Sequence, residues 1–78
     1  MYITITIETQ FGQADIRIDN EQKIGVGLQV LRESGKLPPG VTPAYFRSHQ
    51  NERLVSANKT YIAENIFDGD ILRAIENK

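Results

Sequence analysis

The chain has 78 residues, enough for one small domain, and its 10 acidic and 9 basic side chains give a formal net charge of −1. The charges are interspersed, so we expect no basic face of the kind that binds nucleic acid. The absence of cysteine excludes disulfide bonds and a cysteine-ligated zinc site. No segment is long and apolar enough for membrane insertion, and the first residues read as a strand rather than a signal peptide. We therefore expect a cytoplasmic protein.

The first twenty residues predict a β-hairpin. Apolar and polar residues alternate from Tyr2 to Glu8 and again from Gln13 to Asp19, the period of strands with one buried face. Residues 9–12 are the predicted turn, in which Gly12 supplies a positive φ. A lone hairpin cannot bury its isoleucine face, so other elements must cover it.

The next segment predicts a helix. Its apolar stripe consists of Ile24, Leu28 and Leu31, which recur at the spacing of one helical face. Asp19 or Asn20 is expected to cap its N-terminus, with Glu21 in the first turn. Gly35 is the expected end of the helix.

Two glycines inside this helix count against it. Gly25 and Gly27 each cost about 1 kcal/mol relative to alanine in a helix interior. We interpret them as positions of close packing between the helix and a sheet. They are not a phosphate-binding loop, because Val30 stands where that motif has its third glycine and because the pair lies within a helix.

The rest of the chain predicts shorter strands. The segments are a proline-containing connector over 37–43, strands over 44–49 and 52–56 joined by a turn at 50–51, a loop over 57–59, a short helical turn or irregular stretch over 60–65, and a last strand over 71–75. Before the last strand, Gly69 supplies the positive φ of a tight turn, and Asp68 and Asp70 are expected to bond back to the turn backbone.

These elements predict an α+β architecture, in which one mixed sheet is crossed by one helix. The first and last strands are expected to be parallel neighbours in the middle. The side chains predicted to share the core are Ile3, Ile5, Ile16, Ile18, Leu28, Leu31 and Leu72.

This pattern resembles the ubiquitin-like β-grasp fold, with a four- to five-stranded mixed sheet and one packed helix. The closest resemblance is to the bacterial YukD/EsaB proteins, which are encoded with type VII secretion systems. Three segments carry it: Met1–Ile7, Phe46–Ser56 and Asp68–Leu72. The resemblance covers nearly the whole chain and implies a single ubiquitin-like domain over 1–78. It also implies action through protein–protein contact.

Residues that could support catalysis are few. His49 is the only histidine and has no nucleophile or carboxylate at a telling spacing. Asp68 and Asp70 fall far short of a calcium loop. We therefore predict no catalytic, cofactor-binding or metal-binding residues, and no enzyme.

Strand parity predicts a binding surface instead. If Leu72 and Ala74 face the helix, the alternate residues of the last strand face the opposite way, which in ubiquitin is the main docking face. The neighbouring strand and the tip of the first hairpin would add to it. The predicted partner-binding residues are Phe11, Arg47, His49, Ile71, Arg73 and Ile75.

Three functions are open at this point. The first is an accessory component of type VII secretion, whose partner is another secretion component. The second is a modifier joined to targets by E1/E2-like enzymes and processed by a peptidase, with Glu76, Asn77 and Lys78 as its candidate conjugation tail. Modifiers usually end in two glycines, which are missing from this tail, so activation by a glycine-reading enzyme is not expected. The third is an independent adaptor domain.

Overall fold

The computed structural model describes residues 1–40 and 42–75. Its elements are β1 (Tyr2–Thr9), β2 (Gly12–Asp19), α1 (Ile24–Glu33), β3 (Tyr45–Ser48), β4 (Arg53–Ser56) and β5 (Ile71–Ala74). The strands form one sheet in the order β2-β1-β5-β3-β4. β1 and β5 are parallel, and the other neighbours are antiparallel. The predicted α+β architecture and the central pairing of the first and last strands are confirmed.

The N-terminal hairpin follows its alternating sequence closely. Cα partners run without a break from Tyr2 opposite Asp19 to Thr9 opposite Gly12. Gly12 has a φ of +122°, which glycine adopts far more readily than other residues. The two-residue loop therefore fixes the register that places every inward isoleucine of both strands on one face.

The helix begins later than predicted, at Ile24, and neither Asp19 nor Asn20 caps it. Lys23 occupies the N-cap position and makes no side-chain cap hydrogen bond. The Asp19 carboxylate instead accepts the Glu21 N–H at 3.0 Å, before the helix starts. This bond, together with the nearby terminal ammonium, holds the pKa of Asp19 below its ordinary value. The aspartate thus closes an Asx turn, which satisfies its side chain equally well.

The core lies between the sheet and α1. All seven predicted core side chains are buried. The other buried apolar side chains are Ile7, Ile24, Leu37, Phe46, Val55, Tyr61, Ile66 and Ala74. Three of these come from the irregular segments, which therefore close the core at its ends.

Gly27 confirms the interpretation of the helix glycines as sites of close packing. A Cβ at this position would lie 2.7 Å from both Ile16 Cδ1 and the Tyr61 hydroxyl. That hydroxyl donates a hydrogen bond to the Ile24 carbonyl at 3.1 Å. Burial raises the pKa of Tyr61 well above its ordinary value, so the phenol stays neutral in the folded protein.

The turn before β5 has the predicted backbone but different side-chain bonds. The Asp70 N–H donates to the Phe67 carbonyl at 3.1 Å, and Gly69 has a φ of +89°. Within the described chain, neither flanking carboxylate bonds to the backbone of 67–70, so that prediction was wrong. Asp68 accepts the Thr4 N–H at 2.7 Å, so its carboxylate joins the turn to β1.

Asp70 is fully buried, which the sequence did not indicate. Its carboxylate accepts hydrogen bonds from the Ser48 hydroxyl at 2.5 Å, the Gln50 N–H at 2.9 Å and the Ile71 N–H at 2.7 Å. A buried carboxylate is stable only with such partners. These bonds hold the end of β3 against the start of β5.

Candidate functional site on the outer sheet face

The sheet face opposite α1 carries the residues predicted to bind a partner. Leu72 and Ala74 of β5 are buried under the helix, so the intervening residues project outward. Three strands supply this surface. We define the outer patch as Tyr45, Arg47, Leu54, Ile71, Arg73 and Ile75.

Register brings the middle of the outer patch together. Arg47 of β3 lies directly opposite Arg73 of β5 and, on its other side, opposite Leu54 of β4. The Ile75 N–H donates to the Tyr45 carbonyl at 3.0 Å, which aligns those two residues as well. Four of the residues predicted to bind a partner therefore belong to the outer patch: Arg47, Ile71, Arg73 and Ile75.

His49 lies at the rim of the same surface. It follows β3, and its N–H donates to the Ile71 carbonyl at 2.9 Å. Its imidazole is exposed and lines a shallow depression of about 290 Å³ with Glu8, Arg47, Ile71 and Arg73. The histidine therefore lies at the edge of the outer patch.

Phe11 does not join the outer patch. It lies at the exposed hairpin tip and lines a separate depression with Ala14, Leu31 and Leu37 near the C-terminal end of α1. Loop position alone predicted exposure, but the direction of the loop side chain depends on the turn. The predicted grouping of Phe11 with the β5 residues is not what the geometry gives.

The charge of the patch is unbalanced. Arg73 Nε lies 2.9 Å from Glu8 Oε1, and both side chains are accessible to solvent. Such a surface pair contributes about 0–1 kcal/mol and can exchange partners readily. Arg47 makes no ion pair with any residue of 1–40 or 42–75. Two guanidinium groups and one carboxylate leave this surface net positive.

Two members of the patch were not predicted from the sequence. Tyr45 is 53% exposed and Leu54 is 54% exposed, and both project from the outer face. Tyr45 could have been found by parity, since it stands two residues before Arg47. Leu54 could not, because its place opposite Arg47 depends on the turn where Glu52 has a φ of +53°.

Apolar side chains beside arginines suit contact with another protein, since arginine and aromatic residues are over-represented at interfaces. Within 1–40 and 42–75, no three His, Cys, Asp or Glu side chains are grouped to hold a metal ion. The described helix is too short to cross a membrane. The predicted conjugation tail, 76–78, lies outside the described residues.

Searches of the sequence against protein-family models and curated proteins find no match. Solved structures do match. A designed protein based on ubiquitin superposes with a TM-score of 0.68 at 23% identity, covering 95% of this chain and 87% of that one. The ubiquitin of Caldiarchaeum subterraneum superposes with a TM-score of 0.62 at 17% identity, covering 99% and 98%.

A third match is the EccD5 ubiquitin-like domain from Mycobacterium xenopi, with a TM-score of 0.55 and 18% identity over 100% of this chain and 99% of that one. All three identities are low, so the likeness is one of fold. The chain has the ubiquitin-like β-grasp fold, with a five-stranded mixed sheet and one helix.

Proposed function

We propose that this is a non-catalytic, single-domain ubiquitin-like protein of the cytoplasm that binds a protein partner through the outer patch. We further propose that it serves type VII secretion in the manner of the YukD/EsaB proteins. The observation that carries the first proposal is the grouping of exposed Tyr45, Leu54 and Ile75 around Arg47 and Arg73. Isolated exposed apolar side chains are ordinary, whereas a cluster on one rigid face is typical of a contact surface.

The patch also indicates the chemistry of the partner. A complementary surface would offer an apolar side chain to the groove beside Ile71 and a carboxylate to the arginines. Arginine binds a carboxylate in a bidentate manner, which adds geometric selectivity. The existing ion pair of Arg73 with Glu8 is exposed and therefore costs little to exchange.

Two features support the secretion pathway. The resemblance to YukD/EsaB extends over three separate segments, which supply most of β1, the β3–β4 hairpin and the turn into β5. In addition, an EccD ubiquitin-like domain of type VII secretion has the same fold. That likeness supports the proposal only by showing that a secretion component uses this fold.

Photo-crosslinking in the native host tests the proposal. A benzoylphenylalanine is placed at Tyr45, on the patch, and in a matched control at Phe67, an equally exposed aromatic residue outside it. Mass spectrometry then identifies the crosslinked proteins. We expect the Tyr45 probe, and not the Phe67 probe, to capture a component of the secretion machinery. Identical products from both probes, or none from Tyr45, would contradict the proposal.

The same cells distinguish the modifier function. A modifier would form covalent adducts with target lysines without irradiation, through the 76–78 segment or a trimmed form of it. Its gene would also lie beside those of E1/E2-like enzymes and a peptidase. Such adducts would overturn the secretion proposal, whereas a neighbouring secretion ATPase gene and adduct-free protein agree with it.

A further inference from the structure

The two edge strands of the sheet, β2 and β4, differ in how far their outward-pointing backbone groups are hydrogen-bonded. Most of those groups in β4 already have partners within the chain. The Ala57 N–H donates to the Ala44 carbonyl, so the backbone of Ala57 bonds toward β3. In an antiparallel pair, alternate residues bond toward the partner strand, so the backbone groups of Leu54 and Ser56 point away from β3. The Ser56 N–H donates to Glu64 Oε2 at 2.9 Å, and its carbonyl accepts the Lys59 N–H at 3.2 Å.

An arginine completes this closure. Arg53 Nη1 donates to the Leu54 carbonyl at 3.3 Å and lies 3.5 Å from Glu64 Oε1, while its Nη2 donates to the Glu64 carbonyl at 2.6 Å. Three of the four outward backbone groups of β4 are therefore bonded within the chain. A new strand could add here only by displacing these bonds.

The β2 edge is open. The Asn20 N–H donates to the Met1 carbonyl at 2.8 Å, so the even-numbered residues of β2 bond to β1 and the odd-numbered ones point outward. Gln13, Asp15 and Arg17 are all exposed. Within residues 1–40 and 42–75, no group forms a hydrogen bond with the outward N–H and C=O groups of these three residues. This edge presents two unpaired backbone groups at each of the three residues.

The side chains of this edge are ordered on the outer face. The Thr6 hydroxyl donates to Asp15 Oδ1 at 2.6 Å, and the Arg17 guanidinium stands 5.5 Å from the centre of the Tyr2 ring. Charged residues on an edge discourage strands with the wrong pattern. They favour a strand whose charges alternate in the complementary order, because directly opposite charges attract and like charges repel.

We propose that β2 is a self-association edge, on which a second copy of this chain lays its own β2 antiparallel, with the two-fold axis at Ile16. In this register Asp15 lies opposite the partner's Arg17, and Arg17 opposite the partner's Asp15. A shift by two residues in either direction would place two aspartates or two arginines opposite each other. The register centred on Ile16 therefore satisfies both the outward backbone groups and the charges of Asp15 and Arg17.

The helix side of this edge adds apolar contact. Ile16 packs against Gly27, and Val30, one turn later on the same side of α1, is 41% exposed. Ala14 of β2 is half-buried and packs against the core. The two-fold axis places both helices on the same side of a continuous ten-stranded sheet, where the partner strand covers this apolar strip.

This inference does not rest on the proposed function. β1 separates β2 from β5, so the outer patch stays accessible in the dimer. The dimer carries two such patches on one face of the sheet. Loss of self-association would leave partner binding by a single patch unchanged, which makes the two proposals separable.

Sedimentation equilibrium of the purified chain over a concentration series tests the edge. The unsubstituted protein should dimerise. Asp15→Arg should weaken the dimer by about tenfold or more, because two attractive pairs become repulsive, and Arg17→Asp should do the same. An equimolar mixture of the two variants should form a heterodimer as strong as the original dimer, since every pair is again of opposite sign.

The matched control is Arg73→Glu, which changes an outer-face charge away from the edge and should leave the dimer intact. The double variant Asp15→Arg/Arg17→Asp, which restores opposite charges within each chain, should dimerise normally. Circular dichroism confirms that each variant is folded, and the double variant provides the test if a single variant is not. A chain that stays monomeric throughout overturns the proposal. So does a dimer that both charge reversals leave intact, or a mixture that fails to pair.

Discussion

Neighbouring residues of β5 have opposite surroundings. Leu72 is completely buried between the sheet and α1, whereas the Arg73 side chain is 70% exposed and pairs with Glu8 at the surface. The same four-residue strand therefore contributes both to the core and to the proposed contact surface. Burial and exposure are thus divided between the two faces of one sheet, so substitutions on the outer face can change the proposed partner binding without changing stability.

The largest effect should come from the helix-facing side of β1. Replacing Ile5, which is 1% exposed, by alanine should lower the free energy of unfolding by about 2–5 kcal/mol, since it removes apolar contact and leaves a cavity. That is a large part of a small domain's stability. Urea unfolding measures it, with Thr4→Ala on the exposed face as control. An unchanged unfolding midpoint for Ile5→Ala would contradict the role of Ile5 in the core.

A smaller loss should follow from the buried carboxylate that joins β3 to β5. Asp70→Ala leaves the Ser48 hydroxyl and the Gln50 and Ile71 N–H groups without their acceptor, and should cost about 1–3 kcal/mol. The matched control is Asp68→Ala, which removes one bond at an exposed position. Equal losses in the two variants would show that burial at Asp70 contributes nothing extra.

The two glycines of α1 should differ in how much a substitution by alanine changes stability. Gly27→Ala forces a methyl group to 2.7 Å from Ile16 and Tyr61, and overpacking outweighs the gain in helix propensity, so a net loss of about 1 kcal/mol is expected. Gly25→Ala meets the Ala57 carbonyl oxygen at 3.3 Å and the Ala57 Cβ at 3.7 Å, and should be closer to neutral. Thermal unfolding of both variants measures the two effects. A Gly27→Ala protein more stable than the original would contradict the conclusion that close packing requires glycine at this position.

Periodicity predicted the elements whose environment repeats along the chain. The alternation in β1 and β2 gave their inward isoleucines, and parity in β5 placed Ile71 and Arg73 on the outer face. Residues whose surroundings are set by distant chain segments were not predictable. Asp70 reads as a surface turn residue until the β3 end is brought against it.

Local competition and register account for the other misses. Asp19 can satisfy its carboxylate by capping a helix or by closing an Asx turn, and the sequence does not decide between them. Phe11 is exposed as expected, but its turn directs it toward Leu31 and Leu37. The place of Leu54 in the outer patch required the register of β3 and β4.

We propose that the outer patch binds the partner while its side chains contribute little to stability. The most direct measurement is the yield of the Tyr45 photo-crosslink in Arg73→Glu and Ile75→Asp, beside the unfolding midpoint of each. We predict stability within about 1 kcal/mol of the original and a crosslink yield reduced severalfold, because the patch loses positive or apolar character. Leu72→Ala should instead mainly lower the midpoint. If the Arg73→Glu and Ile75→Asp proteins are folded and crosslink normally, the outer patch is not the partner-binding surface.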